Sequence, residues 1–280
     1  MSERNREFEF TQRDFDFLRK MSNERTGIVV SDDKFDMFYS RLSRRVRALG
    51  LSKFSEYCDY LKSDGEGEEM LEFTNSITTN LTAFFRENHH FEYLKNTVVP
   101  ELVGKNAADR KIRIWSSGCS TGEEPYSIAM TLHDAMSSIS GWDYRIMATD
   151  IDSNVLTTAS NGVYQKDRVN GIDKNLLKRW FQQGKGTKAE KVRAKKSLRE
   201  IISFKQINLM SDWRLRQPRD VIFCRNVIIY FDKPTKTRLV DRYADSLKTG
   251  GYLFIGHSES LFNITNRFEL IGNTIYRKIK

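Results

Sequence analysis

The sequence predicts an α/β protein with a mostly parallel, doubly wound sheet, preceded by a small helical domain. The first 75 or so residues have helical periodicity, whereas from about residue 110 short apolar runs alternate with loops and helical segments. The chain has 280 residues, of which 39% are hydrophobic. This is enough for about two domains with a substantial buried core.

Three helices are predicted in the N-terminal region, namely DFDFLRKMS, KFDMFYSRLSRRVRALG and FSEYCDYLKS, the last closed by the polar run SDGEGEE. The apolar side chains of the second helix fall on one stripe: Phe35, Phe38, Leu42, Val46 and Leu49. Four arginines lie opposite this stripe or at its boundary: Arg41, Arg44, Arg45 and Arg47. Such a face is either simply solvated or docks an anionic partner.

The remaining chain has the alternation of βαβ units. The predicted strands are KIRIW, YRIMATDID, IISFK, DVIFC and YLFIG, and the chain ends in a hairpin-like segment, FELIGNTIYRK. The segment WFQQGKGTKAEKVRAKKSLRE is rich in lysine and arginine and poor in large apolar residues, so we expect it to leave the sheet.

Several classes of protein are excluded by composition. No apolar run approaches the roughly 18 residues of a membrane span, and the charged start MSERNREFEF lacks a signal peptide, so a cytoplasmic location is expected. Three scattered cysteines and four histidines without an H-E-x-x-H pair predict no metal site. The net charge of +9 favours an acidic partner, which could be nucleic acid, a membrane surface or an acidic protein.

The loop after the first strand, SSGCSTGEE at 116–124, is where a ligand of such a sheet is expected. It matches neither G-x-G-x-x-G nor G-x-x-x-x-G-K-[ST], and its two adjacent glutamates would repel a polyphosphate. A cofactor with a cationic portion suits it better. Asp150 and Asp152, at the end of the second strand, could bind a ribose. S-adenosylmethionine meets both conditions.

Six ordered motifs span nearly the whole chain: NLTAFFR (80–86), STGEEPYS (120–127), TDID (149–152), NL (208–209), FCRNV (223–227) with YF (230–231), and GHSE (256–259). In these motifs the sequence resembles the chemotaxis receptor methyltransferases of the CheR type. The resemblance implies a helical domain (1–76), a linker contributing to the cofactor site (77–95) and a class I S-adenosylmethionine-dependent methyltransferase domain with a Rossmann-like seven-stranded sheet (96–280). It also implies a small inserted antiparallel β-subdomain (178–203) and methyl esterification of receptor glutamates, with S-adenosylhomocysteine as the product.

Carried over motif by motif, the resemblance implies cofactor contacts at Asn80, Thr82, Arg86, Glu124, Asp150, Asn208, Leu209, Asn226 and Val227. Structural alternatives exist for each. The polar residues could cap helices, close turns or favour helix dipoles, and Leu209 and Val227 could be ordinary core side chains. Arg86 and Tyr230 are the catalytic candidates, holding the substrate carboxylate or the methionine end of the cofactor. Their alternatives are a structural ion pair and a packed aromatic ring.

The expected partners are the cytoplasmic domains of methyl-accepting chemoreceptors, bound by a monomer that does not bind nucleic acid or insert into the membrane. Two groups of basic residues are assigned to docking: Arg41, Arg44, Arg45 and Arg47 on the second helix, and Lys188, Lys191 and Arg193 for the receptor's C-terminal tail. The alternatives are a methyltransferase for RNA or a small molecule, and a cofactor-binding module without catalysis. GHSES (256–260) approaches a nucleophile elbow but lacks its last glycine and a downstream histidine.

Overall fold

The computed structural model describes residues 6–280. The chain divides into two compact units. One contains the described residues up to Thr79 together with Tyr230–Asp232, and the other contains Asn80–Ile229 and Lys233–Lys280.

The first unit is built from four helices: α1 (Gln12–Thr26), α2 (Phe35–Ala48), α3 (Phe54–Asp64) and α4 (Glu68–Ile77). Helix α1 begins with a capping box, in which Thr11 and Asp14 satisfy each other's backbone N–H groups, and it ends at Gly27 in the left-handed conformation. The helices enclose a core of fully buried side chains, among them Phe15, Phe38, Phe54, Tyr57 and Phe73.

Helix α4 was not among the three predicted helices. Its start could not be recognised within the polar run SDGEGEE, because the last two glutamates of this run, Glu68 and Glu69, form the first turn of α4, where acidic residues are favourable. The helix buries Met70, Phe73 and Ile77 at helical spacing. The prediction of a helical domain is confirmed, with one helix more than expected.

The second unit contains ten strands: β1 (Lys111–Ser116), β2 (Asp143–Asp150), β3 (Val163–Gln165), β4 (Phe181–Gln183), β5 (Lys191–Ala194), β6 (Ile202–Gln206), β7 (Arg219–Cys224), β8 (Leu247–Ile255), β9 (Phe268–Gly272) and β10 (Ile275–Lys278). Seven form one sheet in the order β6-β2-β1-β7-β8-β10-β9. The first five of these are parallel, and β10 and β9 are antiparallel. The predicted parallel sheet with an antiparallel finish is confirmed.

Seven helices belong to this unit: α5 (His89–Tyr93), α6 (Val99–Lys105), α7 (Glu123–Ala135), α8 (Ser153–Asn161), α9 (Lys174–Trp180), α10 (Lys196–Arg199) and α11 (Lys233–Ser246). A π-helical turn, Leu94–Val98, joins α5 to α6. Because α7 and α8 follow β1 and β2, their first turns lie at the carboxyl edge of the sheet.

The remaining strands form a separate small sheet in the order β3-β5-β4, with both pairs antiparallel. This is the inserted β-subdomain that the resemblance implied. The range predicted for it, 178–203, contains β4 and β5, whereas the third strand, β3, precedes that range. A three-residue strand directly after a helix has too few residues for its alternation to be recognised.

Candidate cofactor and active site

The loop between β1 and α7, residues 117–122, is here called the cofactor loop. Backbone hydrogen bonds tie it to both neighbouring strands: the Ser117 N–H donates to the Phe223 carbonyl (2.9 Å) and the Cys119 N–H to the Thr149 carbonyl (2.9 Å). The Ser120 N–H donates to the Asp150 carboxylate (2.8 Å). The loop is therefore held at the carboxyl ends of β2 and β7, where the sequence predicted a ligand.

Asp150 ends β2 and is only 9% exposed, and burial raises the pKa of its carboxyl group to about 6. One carboxylate oxygen accepts the Ser120 N–H and the other accepts the Asp152 N–H (3.1 Å). Because a carboxylate can accept about four hydrogen bonds, capacity remains for the hydroxyls of a ribose. The buried acceptor at this position fits a nucleoside cofactor.

Asp152, the other acidic residue after β2, has structural partners. Its carboxylate caps α8 through the N–H groups of Asn154 (2.9 Å) and Val155 (3.3 Å) and accepts the side-chain amide of Asn80 (2.8 Å). The Asn80 carbonyl in turn accepts the Ser120 hydroxyl (2.9 Å). Asn80 is thus placed beside the cofactor loop, as its assignment to the cofactor site requires.

Glu124, in the first turn of α7, is buried against a guanidinium. Its carboxylate accepts the Ser116 hydroxyl (2.7 Å) and pairs with Arg225 (3.1 Å). Burial raises the pKa of Glu124, and the charge of Arg225 opposes that rise. Arg225 also pairs with Glu87 (3.3 Å) and donates to the Arg86 carbonyl. The arrangement connects Glu124 to the segment that carries Arg86.

Arg225 was not assigned a role from the sequence. Its signal there is an arginine directly after the apolar run DVIFC, at a strand end where a charge requires a partner. The partners, Glu87 and Glu124, are more than 100 residues away along the chain, so the pairing could not be predicted from spacing.

The loop after β7 approaches the cofactor loop closely. A Cβ atom at Gly118 would overlap a methyl group of Val227, so any other residue there would displace the Val227 side chain. Asn226 has a left-handed backbone, with φ of 58°. A Cβ atom at Gly256 would lie 2.5 Å from the Asn226 side-chain nitrogen. Asn226 and Val227, both assigned to the cofactor, are therefore placed by glycines on two neighbouring loops.

Glu259 fixes the same loop and was not among the assigned residues. Its carboxylate is buried and accepts four backbone N–H groups, from Asn226 (2.9 Å), Val227 (3.0 Å), Ile229 (3.1 Å) and Gly256 (2.6 Å). Burial raises its pKa, while these hydrogen bonds oppose the rise. A single acidic residue thus supplies the acceptors that the irregular backbone after β7 needs.

Asn208 and Leu209 lie just beyond β6. The Asn208 side-chain oxygen accepts the Met210 N–H (2.9 Å), which closes a turn. The Leu209 side chain is buried, and its carbonyl accepts Trp213 Nε1 (3.0 Å) and an Arg242 guanidinium N–H (2.9 Å). These contacts match the turn alternative for Asn208 and leave its cofactor role as a prediction.

The two catalytic candidates belong to different units. Arg86 is half-buried and donates to the Leu81 carbonyl (3.0 Å), and no carboxylate within residues 6–280 lies within 4.0 Å of its guanidinium. Tyr230 clusters with the helical unit, where its carbonyl accepts the Val29 N–H (2.9 Å). The assignment of both residues to catalysis stays a prediction.

The four arginines of α2 have different environments. Arg41 donates to the carbonyls of Ile77 (2.7 Å) and Thr78 (2.8 Å). Arg45 pairs with the buried Glu69 (2.6 Å) and with Glu72 (3.5 Å). Arg47 pairs with Glu7, whereas Arg44 is exposed and has no ion-pair partner in the described part of the chain. No acidic residue lies between these arginines in sequence, but other elements supply carboxylates to two of them.

The small sheet carries a groove of about 460 Å³ lined by Val163, Gln182, Gln183, Gly184, Lys185, Lys188, Lys191, Val192 and Arg193. All three residues assigned to tail docking, Lys188, Lys191 and Arg193, therefore line one depression. Gly184 allows the tight β4–β5 connection, because a Cβ atom there would overlap the Lys188 carbonyl.

A Rossmann-like sheet of this order, with an antiparallel hairpin and an acidic residue at the end of β2, defines a class I S-adenosylmethionine-dependent methyltransferase. The chain belongs to the CheR methyltransferase family. Residues 80–277 match its S-adenosylmethionine binding domain and residues 13–78 match its all-alpha domain.

Curated relatives agree along almost the full chain. Chemotaxis protein methyltransferase 2 of Pseudomonas aeruginosa is 45% identical over 97% of this chain and 95% of its own length. The chemotaxis protein methyltransferase of Escherichia coli is 41% identical, covering 92% of this chain and 88% of its own. The probable chemotaxis protein methyltransferase of Rhizobium etli is 40% identical, covering 90% and 94%. The protein is thus a methyltransferase of a family whose known role is the methylation of chemoreceptors in adaptation.

Within residues 6–280, every helix is too short or too polar to cross a membrane.

Proposed function

We propose that the protein transfers a methyl group from S-adenosylmethionine to glutamate side chains of chemoreceptor cytoplasmic domains, and that it does so in the cytoplasm as a monomer. The observation that carries this proposal is the buried carboxylate of Asp150 at the end of β2, hydrogen-bonded to a loop without a polyphosphate motif. S-adenosylmethionine supplies an electrophilic methyl group on a sulfonium centre. Asp150 would hold the ribose of this cofactor, whereas the cofactor contact assigned to Glu124 rests on the resemblance, since its carboxylate already pairs with Arg225.

The carboxylates around the site favour a methyl acceptor that needs no general base. Glu124 and Glu87 pair with Arg225, and Glu259 is saturated by backbone N–H groups. These groups are therefore engaged in structure rather than poised to remove a proton. A glutamate acceptor, with an ordinary pKa of about 4.3, is already ionised at neutral pH and needs no general base.

Positioning is then the main catalytic contribution of the protein. Holding two reacting groups in line can lower a barrier by several kcal/mol, roughly up to the 7–11 kcal/mol of the best intramolecular reactions. Arg86 is the candidate for orienting the acceptor, since its guanidinium has no carboxylate partner within the described residues. Tyr230 is assigned to the same task by the resemblance alone.

The groove of the small sheet is proposed to bind the flexible C-terminal tail of a receptor. The strands β3 and β4 are both edges of this sheet, so an extended peptide could add to either by backbone hydrogen bonds. Lys188, Lys191 and Arg193 line the groove and would meet acidic side chains of the peptide. The tail would then raise the local concentration of enzyme near its substrate helices.

The function is tested by incubating the protein with radiolabelled S-adenosylmethionine and the purified cytoplasmic domain of a receptor from the same cell. We expect base-labile label on the receptor, as a glutamyl methyl ester requires, and loss of labelling when the receptor glutamates are changed to alanine. The variant Asp150→Ala should bind the cofactor more weakly by roughly 1.5–3 kcal/mol for each hydrogen bond lost. Base-stable label, or label on RNA instead, would contradict the proposal.

A further inference from the structure

The strand β3 has two different faces. Val163 lines the groove of the small sheet, whereas the next residue, Tyr164, is buried on the opposite side. The Tyr164 hydroxyl donates to the Thr121 carbonyl in the cofactor loop (2.8 Å). A Cβ atom at Gly122, whose φ is 99°, would lie only 2.8 Å from that hydroxyl oxygen. The small sheet therefore contacts the cofactor loop directly.

Arg168 makes a second connection from the turn that follows β3. Its guanidinium pairs with Glu123, whose side chain is 1% exposed, and donates to the Thr82 carbonyl (3.0 Å). Glu123 begins α7 immediately after the cofactor loop, and Thr82 lies in the segment assigned to the cofactor. One arginine thus ties these two separate parts of the site to the small sheet.

Apolar side chains also connect the small sheet to the segment that contains Thr82. The ring of Phe84 contacts Tyr164 of β3 at a centroid distance of 5.0 Å and Phe181 of β4 at 5.6 Å. All three belong to the same core as the large sheet. Phe84 lies between Thr82 and Arg86 in sequence, so the small sheet also supports the backbone of the segment that carries these assigned residues.

We infer that the small sheet is a structural part of the cofactor site, with Tyr164 and Arg168 as the positioning residues, in addition to its proposed role in docking receptor tails. The reason is local: the start of the cofactor loop is anchored by β2 and β7, but its last residues, Thr121 and Gly122, need an anchor near α7. The Tyr164 hydroxyl supplies this anchor through its hydrogen bond to the Thr121 carbonyl. Arg168 pairs with the buried carboxylate of Glu123, the residue that follows the loop.

Calorimetric titration with S-adenosylhomocysteine tests this inference in the full-length protein. Tyr164→Phe removes one oxygen atom and should weaken binding roughly 2- to 12-fold, the usual range for one hydrogen bond. Arg168→Met should weaken it by about 10-fold or more, because an ionised partner is left buried. In both variants the KM for S-adenosylmethionine should rise with little change in kcat. Amide hydrogen exchange at 118–122 should be faster even without cofactor.

Two control variants match these changes. Tyr144→Phe removes a hydroxyl of β2 that bonds to His133 (3.0 Å), and Lys166→Met removes a half-exposed cation from the same turn as Arg168. Both should bind S-adenosylhomocysteine like the unmodified protein. Adding Glu123→Gln to Arg168→Met should recover part of the lost affinity. Unmodified affinity in both Tyr164→Phe and Arg168→Met, or exchange that rises evenly along the chain, would overturn the inference.

Discussion

Asp150 shows how burial prepares a carboxylate for a ligand. Because burial raises its pKa to about 6, the ionised form is less favourable in the folded protein than in an unfolded chain, where an aspartate ionises near 3.9. As pH rises through this interval, ionisation of Asp150 lowers the free energy of unfolding of the cofactor-free protein. Hydroxyl donors from a ribose would offset that cost, since they bond best to the ionised form.

This gives a pH dependence for cofactor binding. When pH falls through about 6, Asp150 becomes protonated and loses acceptor capacity, so the affinity for S-adenosylhomocysteine should fall, by up to about tenfold per unit well below the pKa. Calorimetry between pH 5 and pH 8 measures the change. Asp150→Asn should bind weakly throughout with a flatter profile. Parallel profiles for the two proteins would assign the titration to another group.

Glu259 is the residue on which the loop after β7 depends. In Glu259→Gln an amide NH₂ replaces one oxygen, so two of the four backbone N–H groups lose their acceptor. At about 1–3 kcal/mol for each of the two buried unsatisfied groups, we expect a destabilisation of roughly 2–6 kcal/mol and weaker cofactor binding. Denaturant unfolding and calorimetry measure the two effects. The exposed Glu269→Gln on β9 is the control, and equal stability of both variants would contradict this role.

At the scale of elements, the arginines of helix α2 differ in role: some stabilise the fold through ion pairs, and others are exposed and could contact a partner. Arg45→Met should destabilise the protein by up to about 3 kcal/mol, because it leaves the carboxylate of Glu69, 4% exposed, without its guanidinium partner. Arg44→Glu should change stability by less than about 0.5 kcal/mol, since Arg44 is exposed. Thermal unfolding of both variants checks this difference.

The Arg44→Glu variant also tests receptor docking by α2. Arg44→Glu should slow receptor methylation at low salt and leave S-adenosylhomocysteine affinity unchanged, because charge contacts of this kind mainly change the rate of association. Unchanged methylation at low salt would make this face an ordinary solvated one.

Elements with regular hydrophobic patterns were predictable from the sequence. Very short elements, and side chains whose partners are distant in the chain, were not. The five parallel strands and the terminal hairpin are short apolar runs bounded by turn residues, a pattern typical of strands. Helix α4 was not predicted because it starts inside a polar run. Strand β3 was not predicted because it has only three residues. In the site, Asp150 follows from its position at a strand end, whereas Arg225 and Glu259 act through partners that only the fold brings together.

At the scale of the whole molecule, the positive charge is concentrated in one region. Residues 163–200 contain 12 lysines and arginines against 4 aspartates and glutamates, a net charge of +8 within a chain whose total is +9. This stretch includes all three strands of the small sheet and every residue that lines its groove. The charge of the protein therefore favours an acidic partner at the small sheet rather than a uniformly basic surface.

The last prediction concerns the receptor tail in this groove. Lys188→Glu combined with Lys191→Glu should weaken binding of an acidic, aromatic-containing tail peptide at least about tenfold and reduce its salt dependence. Gly184→Ala should also weaken it by distorting the β4–β5 connection, without a change of charge. Fluorescence anisotropy measures both.

The charge-matched control for this prediction is Lys205→Glu with Arg214→Glu, two exposed positions outside residues 163–200. It should bind the peptide like the unmodified protein, because its charges do not line the groove. Removing the tail from the receptor should slow methylation by the unmodified enzyme and have little further effect on the Lys188→Glu, Lys191→Glu variant, since both changes break the same tether. A tail peptide that binds no better than its scrambled sequence, or a tailless receptor methylated at the full rate, would contradict tail docking while leaving the assignment of the cofactor site intact.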